Sequence, residues 1–580
     1  MQTTIIRNGI YFDGTGAKGV KKDIIIKNNK VDAVVDTAEA IEGAKEIDAT
    51  DHWVCPGFID IHAHYDAEIE VLPALDESVQ HGVTTVVIGN CSLSAALGKD
   101  KEIVDLFCRV ENIPAKVLSH WIIGNIKWTN VREYYEHLDT LTLGPNVASF
   151  IGHSNIRIDA MGLDRAFMQP NASAQELSKM EGVVNEAMQA GYLGVSIDML
   201  PFHRWAGIYD KKYLGISVPS QRAAKSEYRK LAHVLRKHNR VLQITPNAVD
   251  KKSIFTILRL SHGGLFKDSL KTSIVAALDL KSNENIYKLL KLFGTLGNDV
   301  LRANMKFQTL AEPFLNYGDG PVTPLFEEFP SMIQAISGTE EERKAMFKDE
   351  NFRKVFVKEW NHKATSVFPK ALKEMWVVNA PDKSLIGKNF DQIAKEAGVD
   401  PVIHFMDLLA KYDTHLRWKC ETSNHREEVR LDLLNSKHCM PGFNDSGAHN
   451  VNMAFHDGSL QMLKTAQKHP EMMSIEKAIY RLTKEPANFF GIDAGDISVG
   501  KRADLVIIDP SKLQSDVNSE PIEDYHPMFE GTYRLVKRSG KVVKHVFING
   551  NEAYSNNGVV GFHEDLGKKK DFGKLLKSTW

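Results

Sequence analysis

The stretch PGFIDIHAHYD (56–66) decides the predicted fold, because a short apolar strand ends in it with two histidines. His62 and His64 are two positions apart, so on a strand their imidazoles point to the same side. Neutral imidazole is a favoured zinc ligand, and two imidazoles at this spacing can share one ion. The alternative is a pair of polar residues that cap the strand. The following Asp66 favours the metal interpretation.

Apolar, strand-like runs recur along the chain on both sides of this stretch, and helical patterns follow several of them. The runs cover residues 57–64, 83–90, 146–153, 192–198, 240–245, 272–279, 299–305 and 438–445. This alternation of strands and helices predicts an α/β fold, a TIM-like (β/α)8 barrel. The C-terminal strand ends form the active-site face of such a barrel, and His62 and His64 lie at one of these ends.

One helix is predicted with definite boundaries. Ser173 and Glu176 have the spacing of a capping box, which marks a helix start. Gly191 marks its end. Between them one apolar face is expected, formed by Leu177, Met180, Val184, Ala187 and Met188.

The two chain ends differ from the middle in their pattern. Both ends consist of short alternating runs punctuated by turns, which predicts strands there. The charged helical run at 308–430 is too long for a simple loop, so we expect a helical insertion that covers the barrel mouth as a lid. The tail at 564–580 is basic, and we expect it to be solvated.

The composition excludes several classes of protein. The 580 residues carry 72 Lys and Arg against 74 Asp and Glu, a net charge of −2, and a protein that binds nucleic acid needs a basic face. A hydrophobic fraction of 43% with 25% charged residues excludes collagen, extended disorder and coiled coils. No run is long enough for a membrane helix, and the N-terminus does not resemble a signal peptide. Five cysteines, an odd number, predict a reduced, cytoplasmic and soluble protein.

Cys91 follows the second predicted strand, in VVIGNCSLS (86–94). A thiolate beside two imidazoles completes a His2Cys set that leaves one position open for water, as in catalytic zinc sites. Sulfur also favours zinc over magnesium or calcium. The alternative is a buried cysteine that acts as a small apolar side chain.

Asp445 ends the last predicted strand, in GFNDSGAH (442–449). Its carboxylate can bind a metal, or it can accept the proton of an activated water as a general base. The alternative is a helix N-cap, a position that Asp also favours.

These motifs together resemble the amidohydrolase superfamily, and within it the N-acyl-D-amino-acid deacylase (D-aminoacylase) branch. The resemblance extends over nearly the whole chain. The matching segments are PGFIDIHAHYD (56–66), GVTTVVIGNCSLS (82–94), IGHSNIR (151–157), GFNDSGAH (442–449), IEKAIYRLTKEPANFFGI (475–492) and GKRADLVIIDP (500–510). The Gly-Asn-Cys segment is the one most specific to the deacylase branch, where cysteine replaces a carbamoylated lysine.

The resemblance implies a metal-dependent (β/α)8 barrel at 56–489 and a small β-sandwich domain built from 1–55 and 490–560. It implies that His62, His64 and Cys91 are metal ligands and that Asp445 is the catalytic aspartate, with a place beside the metal. It also implies that Lys281, in ALDLKS (277–282), holds the substrate carboxylate.

The sequence departs from the family pattern on two strands. The fifth-strand motif Thr-His-x-Arg is replaced by Thr245-Pro246-Asn247-Ala248, and the histidine of the sixth strand aligns with Asp279. We therefore expect one zinc ion at His62, His64 and Cys91 with Asp445 near it, and Asp279 as a further candidate ligand.

Three more polar residues near the predicted mouth are candidates for substrate binding. His153 follows the third strand and His203 follows the fourth; the alternative for each is polar surface. Arg157 can bind a carboxylate through two hydrogen bonds, and the alternative is a surface salt bridge.

The predicted function is hydrolysis of the amide bond of N-acyl-D-amino acids or similar N-acyl amino acids. Zinc would activate a water molecule, and Asp445 would act as the general base. Two alternatives remain: an amidohydrolase that acts on a cyclic amide or imide, and a catalytically degenerate barrel that serves for binding. The expected partner is a small-molecule substrate, with no nucleic acid and no membrane, and the sequence leaves the oligomeric state open.

Overall fold

The structure is a computed structural model that describes residues 3–247, 250, 252–264, 268–362, 367–517, 520–556 and 560–579. Ala248, the last residue of the divergent tetrapeptide, lies outside these residues. The strands, numbered in chain order, are β1 (Thr4–Tyr11), β2 (Val20–Lys27), β3 (Lys30–Val35), β4 (Lys45–Asp48), β5 (Trp53–Pro56), β6 (Phe58–Asp60), β7 (Val83–Ile88), β8 (Asn146–Ser149), β9 (Ile151–Gly152), β10 (Gly194–Asp198), β11 (Val241–Thr245), β12 (Lys271–Ile274), β13 (Asn304–Gln308), β14 (Phe314–Asp319), β15 (Met375–Asn379), β16 (Arg417–Ser423), β17 (Cys439–Met440), β18 (Leu505–Ile508), β19 (Ile522–Asp524), β20 (Arg534–Val536), β21 (Val543–Ile548), β22 (Asn551–Asn556) and β23 (Val560–Phe562).

The helices are numbered in the same way. They are α1 (Asp76–Val79), α2 (Asp100–Val110), α3 (Ala115–Ile122), α4 (Val131–Thr140), α5 (His153–Met161), α6 (Leu163–Met168), α7 (Ala174–Ala190), α8 (Pro219–Arg222), α9 (Lys225–Lys237), α10 (Ser253–Ser261), α11 (Ile286–Gly294), α12 (Met332–Ser337), α13 (Glu340–Lys348), α14 (Glu350–Trp360), α15 (Phe390–Ala397), α16 (Pro401–Tyr412), α17 (Glu427–Asn435), α18 (Gly458–Lys468), α19 (Ile475–Leu482), α20 (Lys484–Phe490) and α21 (Leu513–Asp516). Among the described residues, no helix combines the length and the apolar character that crossing a membrane requires.

Parallel strands form the framework of the central part, in the order in which they occur along the chain. β6, β7 and β8 form a three-stranded segment, and β9, β10, β11, β12, β13 and β17 form a six-stranded one. Phe150 alone separates β8 from β9, and its amide donates to Ile88 O (2.9 Å). Next to β6 and β17, the amide of Ile61 donates to Gly442 O (2.9 Å). Helices follow most of these strands, so the predicted α/β class is confirmed.

The predicted strand at 299–305 begins too early, because β13 starts only at Asn304. Residues Thr295–Val300 form a π-helical turn instead. The side chain of Asn298 explains the difference: it accepts from the amide of Met305 (2.9 Å) and donates to its carbonyl (2.7 Å). These bonds fasten the turn to the beginning of β13, so the residues before Asn304 do not extend that strand.

Helix α7 agrees with its predicted boundaries. Ser173 and Glu176 form the capping box, and Gly191 ends the helix at φ +109°, a conformation that favours glycine. Of the predicted face, Met180, Val184, Ala187 and Met188 are buried, whereas Leu177 packs at its edge.

Strands from both chain ends join in one nine-stranded sheet, in the order β23-β22-β21-β18-β5-β1-β2-β3, with β4 paired to β1. The two ends meet where β18 pairs antiparallel with β5, Val506 lying opposite Cys55. A small apolar core, which includes Ile24, Val54 and Phe547, packs against this sheet. The pairings of the described residues give a single sheet here, and do not show the second, facing sheet of a β-sandwich.

The insertion between β13 and β17 contains helices, as expected, and also a sheet, which the sequence analysis did not predict. β14, β16 and β15 pair antiparallel, in that order, and α12 to α16 surround them. Its core is separate from that of the parallel strands and includes Phe326, Phe356, Phe405 and Trp418. In the middle of β16, buried Trp418 and Cys420 belong to this core, and Lys419 between them is half-buried.

The basic tail is packed against the protein, so the expectation of a solvated tail is wrong. Phe572, Leu575 and Leu576 are buried. The amide of Val147 donates to Lys574 O (2.9 Å), and the amide of Leu576 donates to Val147 O (2.7 Å). The tail thus pairs with β8 in a short parallel bridge. The charge run concealed these apolar residues, whose burial holds the segment in place.

Candidate metal centre

The two histidines lie just beyond the end of β6 and are both buried. The backbone is fixed there by the Asp60 carboxylate, which accepts from the amide of His62 (3.1 Å), and by the amide of His64, which donates to Ser446 O (2.7 Å). The Nε2 atoms of the two imidazoles are 3.1 Å apart. The predicted convergence of the two rings is therefore present in the structure.

Cys91 follows β7 and lies beside this pair, with its Sγ 3.3 Å from His62 Nε2. Its backbone has φ +52°, a strained conformation for a residue other than glycine. Two residues of β11 hold it: the amide of Cys91 donates to Gln243 Oε1 (3.0 Å), and Thr245 Oγ1 donates to the sulfur (3.2 Å). One ligand atom from each of His62, His64 and Cys91 lies within 4.8 Å of the other two, close enough to hold one metal ion.

Buried acceptors fix the outer nitrogens of both rings. His62 Nδ1 lies 2.8 Å from Gln308 Oε1, and His64 Nδ1 lies 3.0 Å from Glu111 Oε1. The orientation of the Gln308 amide follows from its Nε2, which donates to Ser273 Oγ (2.9 Å). The Gln308 oxygen accepts a hydrogen bond from His62 Nδ1, so Nδ1 carries the proton of the neutral His62 ring. The Glu111 carboxylate lies beside His64 Nδ1 and favours a proton there through its charge.

The neutral His62 ring therefore presents an Nε2 lone pair to His64 Nε2, 3.1 Å away. The Cys91 sulfur is a third electron-rich atom at this point, and Asp445 Oδ1 is a fourth, 3.8 Å from His62 Nε2 and 3.5 Å from His64 Nε2. Only a cation, a proton or a metal ion, removes the mutual repulsion of such atoms. Two imidazoles and a thiolate are ligands that zinc prefers, so these residues fit a zinc ion.

Burial and neighbouring charges shift the titration of all four groups. Burial lowers the pKa of His62 well below its ordinary value, and nearby His64 lowers it further. Burial also acts to lower the pKa of His64, but the Glu111 carboxylate and Cys91 together outweigh it, and the pKa is raised. Burial raises the pKa of the Cys91 thiol, and it raises the pKa of Asp445 to about 6. Metal binding requires the deprotonated thiol and a free Nε2, so it releases protons here.

Asp445 follows β17 with φ +49°, and its carboxylate faces both histidines. The same loop supplies His449, which accompanies Asp445 in the cavity lining and whose amide donates to Glu111 Oε2 (3.2 Å). The first and the last parallel strands thus bring Asp445 next to the predicted ligands, although more than half of the chain separates them.

Asp279 lies apart from this cluster, so the structure gives no support for its expected role as a ligand. The Arg426 guanidinium binds both of its carboxylate oxygens, Nε at 2.9 Å and Nη2 at 2.5 Å. Asp279 is also absent from the cavity lining, whereas the predicted ligands line it.

Lys281 is also directed elsewhere, contrary to its implied role with the substrate carboxylate. Its Nζ lies 3.1 Å from Glu421 and 3.6 Å from Glu374, two carboxylates of the insertion. The neighbours Leu278 and Leu280 line the cavity, whereas Lys281 is outside the lining.

Arg157 and His153 form a buried network with Glu227, so the structure does not bring them to the cavity as substrate ligands. His153 Nε2 lies 2.8 Å from Glu227 Oε1, and Arg157 Nη1 donates to Glu227 Oε2 (2.5 Å). Both side chains are fully buried, and neither belongs to the cavity lining. Their arrangement is that of a structural ion pair.

His203 does reach the cavity, as the sequence predicts. Its Nδ1 lies 3.0 Å from the Asp198 carboxylate at the end of β10, which orients the ring. Burial acts to lower its pKa, but Asp198 raises it above the ordinary value.

The sequence reasoning missed the residues that hold the ligands. Four side chains contact the predicted ligands, and none of them belongs to a recognisable motif: Glu111, Gln308, Gln243 and Thr245. Only Thr245 had a signal, since it starts the divergent tetrapeptide on the fifth strand.

The cluster lies in a cavity of about 520 Å³. His62, His64, Cys91 and Asp445 line it together with many apolar side chains from the βα segments and from the insertion. Its volume is within the ~300–1,000 Å³ range of small-molecule sites.

Models of the amidohydrolase family match residues 45–245 and 340–553 of the chain. A protein of Mycobacterium tuberculosis (strain ATCC 25618 / H37Rv), itself uncharacterized, is 36% identical over 99% of this chain and 95% of its own length. The chain belongs to the amidohydrolase family. The predicted family is therefore confirmed.

Within this amidohydrolase family the similarity is to the D-aminoacylase branch. The N-acyl-D-glutamate deacylase of Alcaligenes xylosoxydans xylosoxydans is 31% identical over 33% of this chain and 36% of its own length. Two solved structures resemble the fold over 99% of both chains: a D-aminoacylase described with a binuclear metal centre (TM-score 0.65, 18% identity) and the N-acyl-D-glutamate deacylase of Bordetella bronchiseptica with zinc and a phosphonate inhibitor (TM-score 0.63, 19% identity).

Replacing Glu111 with glutamine should weaken zinc binding by about tenfold, the lower end of the ~10–100-fold range for partners that orient metal ligands. Glutamine keeps an acceptor oxygen for His64 Nδ1 but removes the charge. Competition with a chromogenic chelator measures the affinity. Glu136→Gln on the exposed side of α4 is the matched control, and equal zinc affinity in the two variants would contradict the assigned role of Glu111.

Proposed function

We propose that the protein is a metal-dependent amidohydrolase that cleaves the amide bond of N-acyl-D-amino acids, with one zinc ion at His62, His64 and Cys91. The observation that carries this proposal is the convergence of three electron-rich ligand atoms on one point, with Asp445 Oδ1 within 3.8 Å of the histidine nitrogens. The relatives named N-acyl-D-glutamate deacylase and D-aminoacylase support the substrate class.

The proposal includes the architecture around the site. We take the parallel strands as one closed (β/α)8 barrel, supported by the bonds from Ile61 to Gly442 and from His64 to Ser446 that join its first and last strands. We take the nine-stranded sheet as a separate small domain built from both chain ends, and the insertion as a lid. A cytoplasmic location is proposed from the five cysteines, all of which are free thiols.

A single ion is proposed because two histidines of the family pattern are missing. The fifth strand carries Pro246 at the position of the family histidine, and Asp279 on the sixth is bound by Arg426. The ligands that remain, His62, His64 and Cys91, can bind one ion.

When bound, a zinc ion supplies a Lewis acid that polarises the acyl carbonyl and acidifies water. Asp445 then accepts the proton of the attacking water and delivers it to the leaving amine nitrogen, as a general base and acid. His203, held by Asp198, lines the same cavity and offers a hydrogen-bond donor to the developing negative charge on the carbonyl oxygen. The insertion covers the cavity and limits the access of bulk water.

The test is turnover by the zinc-loaded protein of N-acetyl-D-methionine and N-acetyl-D-glutamate, of their L-enantiomers, and of dihydrouracil and hydantoin. We expect release of the free D-amino acid, lost after chelation and restored by zinc. Preferential opening of the cyclic compounds would replace this proposal by the cyclic-amide alternative. A protein that binds no zinc after supplementation and turns over none of these compounds would be a binding protein.

A further inference from the structure

The cavity is much more apolar than the chemistry of its metal cluster requires. Large aliphatic and aromatic side chains form one continuous wall beyond the cluster. Those from α10, α11 and the insertion include Ile254, Phe255, Leu289, Leu290, Phe293 and Phe314. An acetyl group would leave most of this wall in contact with water, which is unfavourable.

Helices α10 and α11 follow β11 and β12, whose C-terminal ends face the cluster. Two of their side chains both line the cavity and reach the surface: Phe255 is 64% exposed and Leu289 is 46% exposed. The apolar wall therefore continues from the cluster to solvent. Exposed apolar surface that continues into a groove is a mark of a binding site.

Arg204, a cation of the cavity lining, shares its carboxylate partner Glu327 with a second arginine. Arg109 binds Glu327 through two hydrogen bonds, 2.8 and 2.9 Å, and so satisfies that carboxylate. Arg204 donates to Gly215 O (3.1 Å), but its Nε is 3.5 Å from Glu327 and makes no hydrogen bond among the described residues. Two guanidinium groups thus share one carboxylate, and Arg204 can accept a second carboxylate from a ligand.

We propose that the substrate is an N-acyl amino acid with a long, unbranched, apolar acyl chain, which lies along the α10–α11 wall while Arg204 binds the carboxylate. This proposal rests on the proposed amide hydrolysis and specifies its substrate. The acyl chain covers the wall, and Arg204 takes the role that Lys281 cannot fill.

The experiment compares N-acetyl-, N-hexanoyl- and N-decanoyl-D-methionine as substrates of the zinc-loaded protein. We expect kcat/KM to rise by about fourfold for each added methylene until the wall is covered, the equivalent of ~0.8 kcal/mol per buried methylene. Calorimetric binding of the same compounds to the metal-free protein should show the same order. Equal or better use of the acetyl compound, or equal binding of all three, would overturn the proposal.

Two variants on one helix separate the wall from the surface. Leu289→Gln changes a lining residue that is 46% exposed, and Leu292→Gln changes a residue that is 55% exposed and outside the lining. Leu289→Gln should lower kcat/KM for the decanoyl compound about tenfold and leave the acetyl compound unchanged, whereas Leu292→Gln should change neither. Equal effects of the two variants on the decanoyl compound would contradict the assigned wall.

Arg204 is tested with Arg204→Gln, using exposed Arg229→Gln as the matched control. The first variant should raise KM for N-decanoyl-D-methionine at least tenfold, as expected for loss of a charged hydrogen bond, and leave KM for its methyl ester unchanged. A KM unaffected by Arg204→Gln would reject this part of the proposal. If no N-acyl compound is hydrolysed but the decanoyl compound still binds more tightly than the acetyl one, the proposed hydrolysis fails and the binding wall stands.

Discussion

Asp445→Asn should lower kcat by about 10²–10⁴-fold, the range for loss of a general base, and leave the zinc content unchanged. The carboxylate faces both histidines, 3.5 and 3.8 Å from their Nε2 atoms, which places it beside a water molecule held at the cluster. Asparagine keeps the size and the acceptor oxygen but cannot take a proton. The loss is therefore expected in the chemical step rather than in metal binding.

The measurement is steady-state turnover of an N-acyl-D-methionine together with zinc content by mass spectrometry. Asp493→Asn is the matched control, since Asp493 lies on the surface and pairs with Lys501 (2.9 Å). Full turnover in Asp445→Asn would refute its role as the base. Loss of zinc together with activity would make Asp445 a metal ligand instead.

Cys91→Ala should remove stoichiometric zinc binding and, with it, activity. Cys91 is the only thiol among the three ligands, and as a thiolate it supplies the only negative charge among them. We expect Cys91→Ala to lower the zinc affinity by more than the ~10–100-fold that follows from removing a residue that orients a ligand. The sulfur is also the ligand that makes zinc the preferred metal, so the variant should lose selectivity over magnesium and calcium.

Cys108→Ala is the matched control for this variant. Cys108 is half-buried outside the cluster, and burial raises the pKa of its thiol to about 12, so it is not a thiolate at neutral pH. The Cys108→Ala variant should bind one zinc ion per chain, like the wild type. Equal zinc content in Cys91→Ala and Cys108→Ala would exclude Cys91 from the site.

The sequence was sufficient for the residues that act through local pattern. His62 and His64 follow a short apolar strand, Cys91 follows the next strand, and parallel strands place their ends together. The capping box of Ser173 and Glu176 likewise needs only four consecutive positions. Such patterns fix the strand order and the core of the site.

Pairings across large sequence separations escaped prediction because the partner has no local signal. Arg426 binds Asp279 from 147 positions away, and Glu421 binds Lys281 from the insertion. Both pairs remove a predicted site residue from the cavity. Glu111 was missed for the same reason, since its only mark is its contact with His64.

The degenerate-barrel alternative drew its support from the missing histidines of the fifth and sixth strands. The structure shows that the remaining ligands are still held, since Gln308 and Glu111 orient the two rings and Thr245 and Gln243 hold the cysteine. These contacts hold the three side chains in place and support the proposed single-ion centre over a degenerate barrel.

X-ray absorption at the zinc edge, on wild-type protein loaded with one equivalent of zinc, tests the account most directly. We predict one sulfur ligand at about 2.3 Å and two imidazole nitrogens at about 2.0–2.1 Å, with an oxygen completing the set. A zinc ion bound with no sulfur in its first shell would contradict the assignment of His62, His64 and Cys91 as its ligands.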